Sequence, residues 1–352
     1  MNFNAILYRI THWETWDWRL KYIPLIPVWI WYCLRSRSIW FFTPSNPGLV
    51  FGGFDGVSKR EMYKLFPLNS YPKSIYVSTR ISFAELEKLV ASGNFNFPFI
   101  AKPEIGRMGF MFRKINTREN LKRYHETIPV DYILQEYIEY PLEVSVFYYR
   151  FPNERNGTIT GFIKKESMVV SGDGKSTLTE LINTYPRARY HIEEIKSKHK
   201  ENLNDIIPAG ELFYLSHALN LSRGGKLVNL EHEKDENLLN VFDELSYYTK
   251  NLYFGRYDIK CASIEDLKQG KNFCILEYNG CGGEPHHVYG NDNTLLKACS
   301  ILAHHWSILY KISKYNHLKG IHYWKFKKGL RFFVEANKHV SMLKKLDAKF
   351  PD

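Results

Sequence analysis

With 352 residues, the chain is long enough to bury a large core and to fold as two lobes, and its five cysteines, odd in number and without C-x-x-C spacing, favour reduced thiols in the cytoplasm. The formal net charge is +11, but it is uneven: from Lys311 to Asp352 eleven Lys or Arg residues stand against three Asp or Glu, so this basic tail carries +8. No zinc spacing, RNP-like motif or helix-turn-helix pattern accompanies the charge, which disfavours nucleic acid as a partner.

Residues 1–47 differ in composition from the rest of the chain. They hold six of the eight tryptophans, which are Trp13, Trp16, Trp18, Trp29, Trp31 and Trp40. The apolar run Tyr22–Leu34 is thirteen residues long and contains two prolines, whereas a helix that spans a membrane needs roughly 20 apolar residues. Aromatic residues flanked by cations suit the lipid headgroup layer, so the segment is predicted to lie on a membrane surface. The alternatives are packing against the main domain and an oligomer contact. The first ten residues do not resemble a secretory signal.

Residues 48–95 begin with a stretch rich in Pro and Gly, typical of a linker. Ser58 is predicted to cap a short helix that reaches Phe66. A second, amphipathic helix is predicted over Ser82–Ser92, because its apolar residues recur on one face.

The next stretch has the pattern of a loop that covers phosphate. Phe97–Lys102 and Phe110–Ile115 are predicted strands, joined by a loop that contains Gly106 and Gly109. Backbone N–H groups approach phosphate closely where side chains are absent, and Lys102 would add a positive charge. Taken alone, the pattern also fits an ordinary hairpin.

The middle of the chain alternates predicted helices and strands. A helix over Thr117–Thr127 precedes an apolar stretch that ends near Arg150, and a strand follows over Ile159–Glu166. Ser176 or Thr177 is predicted to cap another helix, and Tyr190–Asn202 is predicted to be a solvated, highly charged one.

The most informative stretch is Gly255–Tyr289. It predicts strands over Tyr257–Lys260 and Phe273–Tyr278, joined by a charged, hairpin-like connection. Side chains two residues apart share a face of a strand, so Glu277 and Asn279 point the same way. If the strands pair antiparallel, Asp258 lies opposite them and completes an all-oxygen set suited to magnesium with bound phosphate. The alternative is a hairpin with one carboxylate turned to solvent.

Arg256-x-Asp258 followed by Glu277-x-Asn279 resembles the metal end of the ATP-grasp ligases, which include D-alanine–D-alanine ligase, glutathione synthetase and the ribosomal-protein glutamate ligases. The resemblance implies an α+β, ATP-grasp fold with two α+β lobes that clasp ATP. Residues 96–155 would form the small lobe, residues 156–315 the large lobe with the metal site, and residues 316–352 a basic C-terminal tail. Most members carry a full Rossmann-like domain before the first lysine that binds ATP, which would be Lys59 here. This chain has the aromatic-rich segment in that place.

The resemblance also assigns roles to residues. Lys59, Lys102, Gly106 and Gly109 would hold the phosphates of ATP, Glu136, Tyr137 and Ile138 would contact the base, and Glu143 would hold the ribose. Lys165, or its neighbour Lys164, would reach the terminal phosphate, and Arg256 would bind the oxyanion. Asp258, Glu277 and Asn279 would hold Mg²⁺ or Mn²⁺. The loop with Glu284, His286 and His287 would contact substrate. A zinc site at the two histidines is disfavoured, because adjacent side chains on an extended chain point apart.

The function implied is that of an ATP-dependent carboxylate–amine ligase that forms an amide or peptide bond through an acyl phosphate. Its substrates would be small or carrier-linked carboxylates and amines, and its location the inner face of the membrane. Two alternatives stay open: a membrane-associated nucleotide-binding scaffold without ligase activity, and an ATP-dependent phosphotransferase. The oligomeric state is also open.

Overall fold

The computed structural model describes residues 13, 16, 18–185, 188, 192, 195–196, 199–216, 225–249, 251–289 and 293–350. Much of the predicted helix Tyr190–Asn202 lies outside this description. The predicted α+β class is confirmed, because the described residues form antiparallel sheets together with helices. No described helix is both long and apolar enough to cross a bilayer.

A four-stranded antiparallel sheet forms the first lobe. Its strand order is β1-β4-β2-β3, with β1 Ser74–Val77, β2 Phe99–Pro103, β3 Arg113–Ile115 and β4 Tyr132–Glu136. Helices α4 Phe83–Ser92 and α5 Arg118–Thr127 pack on this sheet. Helix α3 Lys59–Tyr63 packs instead through Met62 and Tyr63 into the core around Tyr257. As predicted, Ser58 caps α3 and Thr117 caps α5. Ser82 caps α4 in a capping box with Glu85. The core of this lobe includes Phe99, Leu134 and Tyr124.

A five-stranded antiparallel sheet forms the second lobe. Its order is β11-β10-β5-β6-β9, with β5 Leu142–Tyr149, β6 Thr158–Glu166, β9 Lys226–Asn229, β10 Phe254–Cys261 and β11 Phe273–Asn279. One face is apolar and packs with helix α7 Glu236–Thr249 around Tyr257, Ile259 and Phe162. The other face carries polar residues. Alternation along each strand therefore separates the core from the candidate site.

Beside the large sheet, β7 Met168–Ser171 pairs with β8 Leu212–Ser216 and packs with helix α6 Leu178–Thr184. Thr177 is the residue that caps α6. The predicted hairpin connection between β10 and β11 contains instead a short helix, α8 Ile264–Lys268. Ser263 favours it, because its Oγ accepts a hydrogen bond from Asp266 N at 3.0 Å.

The aromatic segment packs against the main domain with one face. It forms α1 Trp18–Tyr22 and α2 Ile26–Ser36, and both lie near helix α9 Leu295–Leu318. Trp29 packs edge-on against Trp306 at 4.9 Å, and Tyr32 stacks on Tyr310 at 4.6 Å. One face of the segment therefore packs against the main domain, as in the packing alternative, while its opposite face is exposed.

The basic tail contains a helix, α10 Phe326–Asp347, that contacts the aromatic segment near its start and the first lobe near its end. Near its start, Trp40 Nε1 donates to Phe326 O at 3.2 Å. Near its end, Leu343 is buried in the core of the first lobe. The tail is therefore integrated with the fold through its apolar residues, while its cations point outward.

Candidate active site

The polar face of the large sheet is built by strand register. Arg256 pairs with Asn279 and Asp258 with Glu277 across β10 and β11, which confirms the predicted antiparallel pairing. Asp258 also lies opposite Ser145 on β5, and on the same face Glu143 lies opposite both Lys165 on β6 and Lys260 on β10. Because side chains alternate, these residues share one face although they come from four strands.

Four donors converge on the carboxylate of Asp258. Arg256 Nη2 donates to Oδ2 at 2.9 Å, and Asn279 Nδ2 donates to the same oxygen at 3.0 Å. Ser145 Oγ donates to Oδ1 at 2.5 Å, and Lys165 Nζ lies 3.0 Å from it. Burial by itself would raise the pKa of Asp258, but the Arg256 and Lys165 cations outweigh it and hold the pKa well below its usual range. Asp258 is thus a permanent negative centre.

The structure distinguishes between the two candidate lysines of β6. Lys165 is buried, and its Nζ bridges Glu143 and Asp258 at 3.0 Å from each. Burial would lower the pKa of Lys165, but the two carboxylates raise it above its ordinary value. Lys164 lies on the opposite face and pairs with Glu166 at 2.7 Å. Only Lys165 therefore faces the site.

Glu277 differs from Asp258 in having no partner. Within the described residues, no hydrogen bond or ion pair engages its half-buried carboxylate. Nor do these residues contain a group of three or more His, Cys, Asp or Glu side chains arranged to hold a metal ion. Asp258, Glu277 and the Asn279 amide oxygen still fit Mg²⁺, because that ion commonly uses one or two carboxylates and completes its shell with water and substrate phosphate.

Two buried lysines lie near this face, since the charges of Lys59, Glu277 and Glu143 all act on Lys102. Lys59 starts α3, where its N–H donates to Glu104 O at 3.0 Å, and Lys102 lies near the end of β2. No hydrogen bond or ion pair reaches the Lys102 ammonium from the described part of the chain. Burial and the charge of Lys59 lower the pKa of Lys102 to about 7, although Glu277 opposes them. A buried cation without a partner, beside a second cation, is the chemistry of an anion site.

The predicted glycine loop follows Lys102 directly. Gly109 has a φ of +71°, a conformation that favours glycine. At Gly106, a Cβ would meet its nearest atom at 3.4 Å, so packing does not require glycine there. Helix α10 holds the loop from outside, because Met111 N donates to Asp347 Oδ1 at 2.8 Å and His339 Nε2 lies 2.8 Å from Ile105 O.

The predicted base-binding residues lie at the edge of the same face. Glu136 ends β4, and its N–H donates to Lys73 O at 2.9 Å. Ile138 O accepts from Lys260 Nζ at 2.9 Å, and Lys114 Nζ lies 4.0 Å from the centre of the Tyr137 ring. Lys260 thus links the predicted base-binding residues to the strand that carries Asp258.

Sequence reasoning missed several residues of this face. The alternation of Arg256, Asp258 and Lys260 on β10 contained the signal for Lys260. Ser145 was equally accessible, since it is two residues from Glu143. No local pattern indicated that the His286 ring would lie 3.2 Å from Ser145 Oγ.

His286 and His287 point apart, as expected for adjacent residues. His286 faces Asp258, and its pKa is lowered by burial and by Arg256. His287 instead packs at a tilt against His305, with ring centres 5.3 Å apart, and burial lowers the pKa of His287 to about 4. The two rings therefore do not share a metal position.

No family model matches this chain, and no curated protein matches it. Its fold is similar to those of several solved structures. D-alanine–D-alanine ligase from Bacillus anthracis is 15% identical, with a TM-score of 0.41, and the match covers 75% of this chain and 69% of that one. A bifunctional glutathione synthetase from Pasteurella multocida is 16% identical, with a TM-score of 0.41; the match covers 70% of this chain but spans only about a third, 35%, of that protein.

The ATP-grasp ligase PsnB, solved with a minimal precursor, is 11% identical, with a TM-score of 0.37 and coverage of 71% of this chain and 60% of that one. All three structures are ligases or synthetases, and one is described as an ATP-grasp ligase.

Proposed function

We propose that this chain is an ATP-dependent carboxylate–amine ligase of the ATP-grasp type. The observation that supports this most directly is the buried ammonium of Lys102, which lies beside Lys59 and near Glu277 and pairs with none of the described residues. Cations on one lobe and carboxylates on the other suit a polyphosphate that binds between them with a divalent cation.

The residues of the two lobes have complementary roles in this proposal. Lys59 and Lys102 bind phosphate oxygens, and backbone N–H groups of the Gly106–Gly109 loop cover them. Arg256 is fixed by Asp258, so its remaining N–H groups are oriented toward charge that develops at the reacting carboxylate. Lys165, poised between Glu143 and Asp258, can shift toward the terminal phosphate. No protein nucleophile is required, because a substrate carboxylate takes the γ-phosphoryl group and an amine then displaces phosphate from the acyl phosphate.

Asp258, Glu277 and Asn279 would hold Mg²⁺ or Mn²⁺. Such an ion would supply neutralisation of the phosphate oxygens. Glu277 is the residue best prepared for this role, because its carboxylate has no competing partner among the described residues.

We propose further that the enzyme works at an anionic membrane surface. Exposed apolar side chains recur at helical spacing through the N-terminal segment, namely Leu20, Ile23, Ile26, Ile30, Trp31 and Leu34. A second exposed set lies on α10, namely Phe326, Leu330, Phe333 and Val334. Apolar faces bordered by lysine and arginine are typical of helices that lie in the headgroup layer.

A screen for ADP release tests the proposed reaction. ATP and Mg²⁺ are supplied with the twenty amino acids in pools, each pool with and without short-chain acyl carboxylates, and the products are weighed by mass spectrometry. A product that equals the two substrates minus water indicates a ligase. Lys102→Met is expected to abolish ADP release, whereas the matched control Lys164→Met, on the opposite face of β6, is expected to retain it.

The same screen, together with titration of an ATP analogue, separates the alternative functions. A phosphorylated product without an amide indicates a phosphotransferase. Binding of an ATP analogue without ADP release from any pool favours a nucleotide-binding scaffold. Failure to bind the analogue at all contradicts the proposed function.

A further inference from the structure

The carboxylate of Glu284, in the loop after β11, is held by two tyrosine hydroxyls. Tyr22 donates to Glu284 Oε1 at 2.7 Å from the N-terminal segment, and Tyr289 donates to the same oxygen at 2.5 Å from the end of the loop. The Tyr22 ring is itself fixed, because it stacks on Trp306 at 5.9 Å. A residue of the aromatic segment therefore reaches the loop across more than 260 positions of sequence.

The same loop residue is also bound from the catalytic side. Arg256 Nη1 donates to the backbone carbonyl of Glu284 at 2.8 Å, while the other end of the guanidinium binds Asp258. Glu284 thus lies between Tyr22 and Arg256, with its side chain held by one and its carbonyl by the other. A shift of the Glu284 backbone would change the position of the guanidinium.

A second part of the N-terminal region fixes the start of this loop. Cys281 N donates to Gly52 O at 3.1 Å, and Gly282 N donates to Gly53 O at 3.2 Å. The approach is so close that a Cβ at Gly282 would lie 2.0 Å from Phe54 O. The loop is therefore seated on residues 51–54 at its beginning and on Tyr22 further along.

Trp13 extends this contact to the end of the loop. Its Nε1 donates to Asn293 O at 2.5 Å, and its ring stacks on Tyr289 at 5.4 Å. Trp13, Tyr22 and Gly52–Phe54 therefore contact the loop at three places along its length, while Arg256 binds it from the other side.

We propose that the N-terminal segment forms one wall of the active site and that Tyr22 is a positioning residue, which acts through Glu284 on Arg256 and on the loop that is expected to contact substrate. The catalytic part of this inference rests on the proposed function, whereas the positioning part rests on the contacts alone. The exposed side chains of Leu20 and Ile23 flank Tyr22, so one short stretch offers apolar residues outward and a hydroxyl inward to the loop.

Tyr22→Phe tests the inference, because it removes the hydroxyl and keeps the ring that stacks on Trp306. Tyr32→Phe is the matched control: its ring stacks on Tyr310 in the same segment, and its hydroxyl makes no hydrogen bond with the described residues. In full-length protein with ATP, Mg²⁺ and the pooled amino acids, Tyr22→Phe is expected to raise the half-saturating amino-acid concentration about tenfold, as the loss of a hydrogen bond to a charged group does. The KM for ATP should stay unchanged. In Glu284→Ala, which removes the acceptor, the further effect of Tyr22→Phe should be much smaller, since the two act through one contact.

Hydrogen–deuterium exchange provides a measurement that needs no substrate. Peptides covering residues 280–289 should exchange faster in Tyr22→Phe than in wild type, and those in Tyr32→Phe should not. Faster exchange confined to the loop supports positioning even if no pool supports ADP release, a result that would count against the proposed function alone. Unchanged exchange in the loop overturns the inference, as does an equal change in Tyr32→Phe. If wild type does turn over, a Tyr22→Phe enzyme with wild-type kinetics also overturns it.

Discussion

Replacing Lys102 by methionine should make the protein more stable while it weakens nucleotide binding. Lys102 is 9% exposed, and no described residue pairs with its ammonium, so the folded protein bears the cost of a buried charge. Methionine has a similar length and no charge. If Lys102 were a structural residue, the same substitution would destabilise the fold.

The lowered pKa of Lys102 sets how large this stabilisation is at each pH. Burial and Lys59 lower the pKa of Lys102 from 10.5 to about 7. Because the folded-state pKa is the lower one, the unfolded chain binds more protons between these two values, and the contribution of Lys102 to the free energy of unfolding rises with pH there. Between pH 7 and pH 9 the rise amounts to about 2 kcal/mol, at 1.36 kcal/mol per pKa unit. Lys102→Met lacks this rise, so its advantage over wild type should be larger at pH 7 than at pH 9.

Urea unfolding at the two pH values measures the stability, and titration with a non-hydrolysable ATP analogue measures binding. The analogue should bind Lys102→Met about 10- to 100-fold more weakly, the effect expected for a charge-assisted contact. Lys164→Met serves as the control for loss of a lysine from an ion pair outside the site. The reasoning is refuted if Lys102→Met unfolds more readily than wild type at both pH values, or if it binds the analogue with wild-type affinity.

Three further predictions concern the other lobe, the tail and the first segment. Glu277→Gln should abolish ADP release and leave the urea midpoint close to that of wild type, because an unpaired carboxylate becomes an amide of equal size; normal turnover would contradict its assignment to the metal. Asp347→Ala removes the acceptor for Met111 N and the partner of Arg113, which lies 2.9 Å away, and should lower the unfolding free energy by about 2 kcal/mol and loosen the glycine loop in hydrogen exchange. Leu330→Ala, which truncates an exposed residue of the same helix, is its control. The intact protein should sediment with anionic liposomes and be only partly released by high salt, since salt screens the cations of α10 but not the exposed apolar side chains. A version that starts near Gly48 keeps only the apolar side chains of α10 and should be released more readily by salt than the intact protein. An intact protein that stays in the supernatant at low salt would show that the segment serves only for packing.

The sequence by itself determined the features that depend on neighbouring residues. Alternation along two short strands was enough to put Asp258 opposite Glu277, because the period of a strand is local and antiparallel pairing brings opposite residues together. The caps Ser58 and Thr117 were predicted for the same reason, since a capping hydrogen bond spans only a few residues.

Only the tertiary structure decided the contacts between residues that are distant in the sequence. The choice of Lys165 over Lys164 required the register between β5 and β6, which the sequence of β6 alone does not contain. The low pKa of Lys102 arises from burial and from Lys59, which is 43 residues away in sequence. The aromatic segment could be predicted from its composition to have an apolar face, but the contact of Tyr22 with Glu284 joins residues 262 positions apart. Such contacts depend on how the whole chain packs, and no local pattern of residues specifies them.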